Sequence, residues 1–150
     1  MRSTPTWLAK HTRTPHPKKI VWRCHNKDGI YRDSFYWVSL TNIPKKGEYE
    51  IAAALDKSKN FVKVFAKEVI LAKEKNGKST RKPLTSSQIV VHLDDEMLDL
   101  DKEVTVMLNG KQAFKGIVKR SRGNILRNLA KRADINYAFP AEVVVGTKKK

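Results

Sequence analysis

The sequence predicts a mainly β protein, an immunoglobulin-like β-sandwich of about seven or eight short strands with one helix near the C-terminus. Short apolar runs rich in β-branched and aromatic residues recur along the chain, separated by turn-forming residues. One of these turns is an Asn-Gly pair between two such runs. A later segment repeats its apolar residues at helical spacing. These three observations define the predicted fold class.

The clearest strand pair flanks Asn109-Gly110, at 104–108 and 112–118, because both turn residues tolerate the positive φ angles of a two-residue hairpin. A second hairpin is predicted from 20–22 and 34–40, with its turn at 26–29. The apolar runs 61–65 and 69–72 fit two further strands, and a helix over 63–73 is the alternative. The remaining predicted strands are 49–55, 88–93 and 141–145.

The helix is predicted from Ser121, its N-cap, to about Ala133. One face is predicted to carry the apolar residues Ile125, Leu126, Leu129, Ala130 and Ala133. The opposite face is expected to be an ordinary solvated one, made of Asn124, Arg127, Asn128 and Lys131.

A single domain suits a chain of 150 residues. Residues 1–19 contain three prolines and one apolar cluster, and they are predicted to form an extended arm or linker. Residues 20–146 are predicted to form the sandwich, and 147–150 a disordered basic tail. No apolar run reaches the roughly 20 residues that span a bilayer, and 1–19 lacks the pattern of a secretory signal. Membrane insertion is therefore not expected. The sequence does not indicate a cellular compartment.

The motifs that carry nucleophilic catalysis do not occur in this sequence. There is no Gly-x-Ser-x-Gly turn, and Ser121 suits a helix N-cap better than a nucleophile. Cys24 and His25 are adjacent, but neighbours on a strand point to opposite faces, so Cys24 is predicted to be a part-buried core residue. As the only cysteine, it also excludes an internal disulfide. No catalytic residue is expected in this chain.

Metal and cofactor sites are not expected either. The acidic segment 94–101 lacks the ligand order of an EF-hand, and Met97, Leu98 and Leu100 within it are predicted to be core residues. There is no Gly-rich phosphate loop. No spacing typical of zinc ligands relates the four histidines, which are interpreted as ordinary polar residues: His11, His16, His25 and His92.

The net charge of +16 favours contact with polyanions. Half of it comes from 1–19 and 147–150, which hold no acidic residue. Nucleic-acid or polyanion binding is therefore the alternative function, with Trp22, Tyr36 and Trp37 as possible stacking faces. Aromatic residues on strands are more often core, which weighs against this alternative. Its predicted contacts are Lys18, Lys19, Arg23, Arg32, Arg127 and Lys131.

Several segments occur in a characteristic order. They are 7–22 and 34–38, then 98–106 (LDLDKEVTV), 109–111 (NGK), 114–116 (FKG), 120–121, 133–134 and 141–143. In this order they resemble the C-terminal β domain of bacterial α/β-hydrolase-like proteins, which are peptidase- or esterase-like enzymes. The resemblance covers both ends of the chain and is loosest at 56–83.

The resemblance implies a non-catalytic accessory domain that packs in cis on an α/β-hydrolase-type catalytic domain. In such enzymes the catalytic histidine precedes the segment around Trp7, so none of the matched motifs is catalytic. The arm around Trp7 and Leu8 is the expected contact, because an isolated apolar pair beside prolines finds few partners in its own segment. The predicted interface residues are Trp7, Leu8, Trp22, Tyr36 and Trp37.

Overall fold

A computed structural model of the protein describes residues 14–25, 32–42, 48–70 and 80–146. In these residues ten strands form two sheets. The strands are Lys19–His25 (β1), Ser34–Phe35 (β2), Val38–Thr41 (β3), Glu48–Asp56 (β4), Phe61–Ile70 (β5), Thr80–Pro83 (β6), Gln88–Leu93 (β7), Val104–Leu108 (β8), Lys111–Gly116 (β9) and Ala141–Val145 (β10). One α-helix, Arg122–Arg132 (α1), and two 3-10 turns, Lys57–Lys59 and Ile135–Tyr137, complete the described elements.

The predicted class, mainly β in a sandwich-like layout with one helix near the C-terminus, is confirmed. The described residues hold ten strands rather than seven or eight, partly because the predicted strand 34–40 is two short strands. Tyr36 breaks it with a left-handed φ of 50°. The predicted tail 147–150 and most of the predicted arm, 1–13, lie outside the described residues.

The larger sheet has the order β1-β4-β5-β8-β9, and the smaller one the order β10-β7-β3-β2. All described pairings are antiparallel except that of β5 with β8. Two strands pair along the same edge of β5: β8 pairs with residues 61–64 and β6 with residues 67–70. Between the two partners, the Asn109 side chain accepts from the Ala66 N–H at 2.9 Å and donates to the Ala66 carbonyl at 3.2 Å. It thus satisfies buried backbone groups where β8 leaves the strand.

The core lies between the two sheets. Strand alternation supplies it, as in β5, where Val62, Val64 and Ala66 are buried and the residues between them face outward. Met97, Leu98 and Leu100 are buried as predicted. Further fully buried residues are Trp37, Tyr49, Ile51, Val91 and Phe139.

The predicted hairpin between 20–22 and 34–40 is wrong. β1 pairs with β4 in the larger sheet, whereas β2 and β3 belong to the smaller one. In register with β4, Trp22 lies opposite Ile51 and Cys24 opposite Tyr49, so the inward side chains of β1 are buried against a strand distant in sequence. The predicted turn at 26–29 lies outside the described residues. The helical alternative for 63–73 is also wrong over 63–70, which belong to β5, while 71–73 lie outside the described residues.

The predicted helix ends are confirmed. The Ser121 hydroxyl accepts from the Gly123 N–H at 3.2 Å, and Ala133 ends the helix in a left-handed conformation. The predicted solvated face is confirmed for Arg127 and Lys131, which are exposed, and wrong for Asn124 and Asn128, which are the buried residues of α1. Leu126 of the predicted apolar face is 66% exposed. The Asn124 amide donates to the Pro140 carbonyl at 3.3 Å, and the Asn128 amide to the Phe139 carbonyl at 3.5 Å. Amide side chains, rather than the apolar stripe, suit the polar backbone beneath this helix.

Candidate functional site

The outward side of the larger sheet, which we call the open face, is the first candidate surface. Strand register arranges its side chains in three rows across β1, β4 and β5. The middle row is apolar and joins Val21, Ala52 and Phe65. The flanking rows are Lys19, Ala54 and Lys63 on one side and Arg23, Glu50 and Lys67 on the other.

The middle row of the open face is accessible. Val21 is 60% exposed and Phe65 is 36% exposed, while Ala52 between them is half-buried. Because the Ala52 side chain is small, the middle row is nearly flat. A flat partner surface could therefore cover all three side chains. A solvated sheet face usually carries polar residues, and a continuous apolar row across three strands is therefore informative.

Positive charge borders this apolar row. The Lys63 ammonium lies 4.9 Å from the centroid of the Phe65 ring. Two of the nearby cations have acidic partners, since Arg23 pairs with Glu48 at 3.0 Å and Arg81 with Glu50 at 3.4 Å. The open face thus combines an apolar centre with a predominantly basic border.

The structure places the predicted aromatic interface residues mostly inside. Trp22 and Trp37 are buried in the core, and the Trp37 indole N–H donates to the Pro17 carbonyl at 2.9 Å. Tyr36 is half-buried and packs edge-on against Phe35. Neither tryptophan therefore offers a face to a partner in this structure. Trp7 and Leu8 lie outside the described residues, so their role in an interface stays a prediction.

The six predicted polyanion contacts do not form one patch. Lys19 and Arg23 lie on the open face, whereas Arg127 and Lys131 lie on α1 over the smaller sheet, where they pair with Glu142 and Asp33. The exposed Lys18 and Arg32 occupy the segments just before β1 and β2.

The second candidate site is a pocket of about 330 Å³ between α1 and the outward side of the smaller sheet, which we call the His92 pocket. Strand alternation turns Ser39 of β3, His92 of β7 and Glu142 of β10 towards the helix, while their neighbours enter the core. The lining residues are Ser39, Leu40, Thr41, Val90, His92, Arg127, Asn128, Lys131 and Glu142.

A hydrogen-bond chain fixes the His92 ring. Arg132 donates through Nη2 to the Ser39 Oγ at 3.1 Å, and Ser39 Oγ lies 2.8 Å from His92 Nε2. A hydroxyl oxygen can accept two hydrogen bonds, so the contact with Arg132 is compatible with either tautomer of His92. The Glu142 carboxylate, whose Oε2 is 3.9 Å from Nδ1, favours the tautomer with hydrogen on Nδ1, in which the Ser39 hydroxyl donates to Nε2. The ring stacks on Phe139 with centroids 5.5 Å apart.

Electrostatics keep His92 neutral. Burial lowers its pKa to about 3, and the positive charges of Arg132, Lys131 and Arg127 contribute to the shift. Burial also lowers the pKa of the Arg132 guanidinium. A cation is thus disfavoured at the imidazole, and the ring acts as a neutral hydrogen-bond donor at Nδ1.

Serine, histidine and a carboxylate in this order have the connectivity of a serine nucleophile with its base. A general base works best when its pKa lies near the working pH, and a pKa of about 3 makes His92 a poor acceptor for the Ser39 proton. The hydroxyl is also buried and engaged by Arg132. Both observations disfavour nucleophilic attack by Ser39.

The acidic segment 94–101 serves local structure. The Asp94 carboxylate accepts from the N–H groups of Glu96 at 3.0 Å and Met97 at 2.9 Å. Arg120 donates to both Asp95 and Asp101, and its hydrogen bond holds the pKa of Asp95 below the usual range. Within the described ranges, no group of three or more His, Cys, Asp or Glu side chains could hold a metal ion.

Ser39, Arg132 and Glu142 were not predicted as site residues, and His92 was interpreted as an ordinary polar residue. The period-two alternation of 88–93 and 141–145 places His92 and Glu142 on outward faces, but nothing local shows which helix covers them.

No helix among the described residues is long and apolar enough to cross a membrane. Comparison with protein-family models, curated proteins and solved structures finds no match.

Proposed function

We propose that this chain is a non-catalytic accessory domain that packs on, and supports, an α/β-hydrolase-type catalytic domain. The order of its sequence segments resembles the C-terminal β domain of such bacterial enzymes. The observation that carries the proposal is the open face, where Val21, Ala52 and Phe65 form an exposed apolar row across three strands. A sheet normally buries its apolar side chains against another layer, and a second domain would supply that layer here.

The composition of the open face describes the partner surface. Its apolar centre suits the less polar middle of a domain interface, and its border of Lys19, Lys63 and Lys67 suits a rim with acidic residues. Trp7 and Leu8, which lie outside the described residues, remain predicted contacts of the same interface.

Isothermal titration tests the proposal with this chain and the catalytic domain of a bacterial α/β-hydrolase-like enzyme of the resembled group, expressed without its own β domain. We expect saturable binding and a rise in the melting temperature of the catalytic domain. The double variant Val21→Lys/Phe65→Lys should bind at least about tenfold more weakly, because two charges would enter the apolar centre.

The matched control is Leu126→Lys/Val144→Lys, which changes two similarly exposed apolar residues of α1 and β10. It should bind like the unchanged chain. Absence of binding by the unchanged chain, or equal weakening by both double variants, would contradict the proposal.

Nucleic-acid or polyanion binding is the second candidate function. The observation that favours it is the exposed Phe65 ring with the Lys63 ammonium beside it, on a face bordered by further lysines. Single-strand-binding surfaces combine an aromatic stacking face with basic side chains in this way. Titration with a single-stranded oligonucleotide at two salt concentrations distinguishes the functions. Micromolar binding that persists near physiological salt and is lost in Phe65→Ala supports this candidate, whereas binding that disappears with added salt reflects net charge alone.

A further inference from the structure

The His92 pocket presents a buried donor that no described residue satisfies. His92 is 6% exposed, and its Nδ1 has no hydrogen-bond partner among the residues that the structure describes. Glu142 Oε2 is 3.9 Å from this nitrogen, which is too long for a hydrogen bond. A buried polar group without a partner is costly, so a donor held in this position by Ser39 and Arg132 indicates an acceptor that enters the pocket.

We propose that the His92 pocket binds a small carboxylate, one oxygen of which accepts from His92 Nδ1 while the group as a whole is attracted to Arg127 and Lys131. The inference rests on the pocket alone and does not depend on the proposed function.

The charges that face the pocket from every packed element favour an anion. The helix α1 supplies Arg127, Lys131 and Arg132, whereas β10 supplies Glu142 and the segment before β2 supplies Asp33. Among the described residues, three cations against two carboxylates leave an excess of one positive charge. A singly charged anion would balance it, whereas a phosphate dianion would exceed it.

The pocket already holds one carboxylate in the expected way. Arg127 Nη2 donates to Glu142 Oε1 at 2.9 Å, and a planar carboxylate matches the guanidinium fork. Val90 provides an apolar wall, and 330 Å³ accommodates a carboxylate with a short aliphatic chain. Glu142 should compete with the ligand for Arg127 and for the Nδ1 hydrogen.

The carboxylate could come from a free short-chain acid or from the C-terminus of a peptide. Both sources share the recognising chemistry. Acetate represents the first source, and a short peptide with a free C-terminus represents the second, with the same peptide amidated as its control.

The test is a titration of the ¹⁵N-labelled chain near neutral pH, followed through the long-range ¹H–¹⁵N resonances of the His92 ring. We expect a spectrum of the neutral tautomer with hydrogen on Nδ1 and a saturable shift of that nitrogen with acetate, at a Kd of about 1 mM or tighter. Binding of the free peptide but not of the amidated one would assign the ligand to a peptide terminus. Binding of acetate alone would assign it to a free acid.

Three variants sharpen the test. Glu142→Gln should bind acetate at least about fivefold more tightly, because the competing carboxylate is removed, and Arg127→Gln should bind at least about fivefold more weakly. Arg81→Gln, which removes an arginine paired with a carboxylate on the larger sheet, should not change the affinity. The inference is overturned if neither the unchanged chain nor Glu142→Gln shows a saturable shift, or if chloride at equal ionic strength shifts Nδ1 to the same extent.

Discussion

Acidification from pH 7 to pH 5 should destabilise the protein through His92. In an unfolded chain a histidine titrates near pH 6.5, whereas burial and the neighbouring arginines and lysine lower the pKa of His92 in the fold to about 3. The unfolded state therefore takes up the proton first. The stabilising effect of neutral His92 is fully present above pH 6.5 and is lost as the pH falls from there towards 3.

The magnitude follows from this difference. Between pH 7 and pH 5 the free energy of unfolding should fall by about 2 kcal/mol, approaching the limiting slope of about 1.4 kcal/mol per pH unit. This value depends little on the folded pKa as long as it stays well below 5. The carboxylates of Asp56, Asp95 and Asp99, whose pKa values are lowered, lose their stabilising effect only at lower pH, near and below an unfolded value of about 4.

Urea denaturation at several pH values between 5 and 7 measures the effect. His92→Gln should be less stable at pH 7 but should lose most of the pH dependence over this range. The control His16→Gln, which removes a histidine that contacts Asp94 and Glu96 on the surface, should keep it. The reasoning is refuted if the unchanged chain and His92→Gln show the same pH dependence.

Three substitutions test the packing and the turns by the same denaturation assay at neutral pH. Leu98→Ala should lower the free energy of unfolding by about 2–5 kcal/mol, because Leu98 is fully buried in the core; a loss below about 1 kcal/mol would contradict its placement. Gly110→Ala should cost about 1 kcal/mol, since the backbone φ of 83° is strained for alanine although nothing would contact its Cβ; a neutral result would contradict the turn conformation. Asn60→Ala should cost about 1–3 kcal/mol, because Asn60 has a φ of 50° and its side chain bonds the Asp99 N–H at 2.9 Å and carbonyl at 2.8 Å; an unchanged stability would show that these bonds are dispensable.

Local signals in the sequence predicted local structure well. Asn109-Gly110 forms the predicted hairpin turn, and Ser121 caps the predicted helix, because turn and cap preferences depend on a few adjacent residues. The second role of Asn109, its pairing with Ala66 of β5, was not predictable, since it depends on which strand lies beside β8.

Non-local pairing explains the errors. The strand at 20–22 was predicted to pair with its neighbour in sequence. It pairs with β4 instead, and in that pairing Trp22 and Cys24 are buried. The helix face was assigned from apolar periodicity, whereas Asn124 and Asn128 are buried because they donate hydrogen bonds to the backbone of the segment 139–140. Amide partners of this kind are visible only once the chain around Pro140 is placed.

The candidate site shows the same division. The basic composition of the sequence predicted Arg127 and Lys131 as polyanion contacts. The residues that surround the Nδ1 donor of the His92 pocket lie on three strands and one helix, and the sequence did not predict that they meet. Ser39, His92 and Glu142 share outward faces that alternation predicts, and their meeting depends on the β10-β7-β3 order.

Lysine footprinting tests the accessory-domain proposal most directly. The chain is acetylated with and without the catalytic domain of a resembled α/β-hydrolase-like enzyme, and modification is read by mass spectrometry. We predict that Lys63 and Lys67 of the open face become protected in the complex, while Lys131 on α1 and Lys111 at the far edge of the larger sheet are modified as before. Unchanged modification of Lys63 and Lys67, or protection confined to Lys131, would contradict docking through the open face.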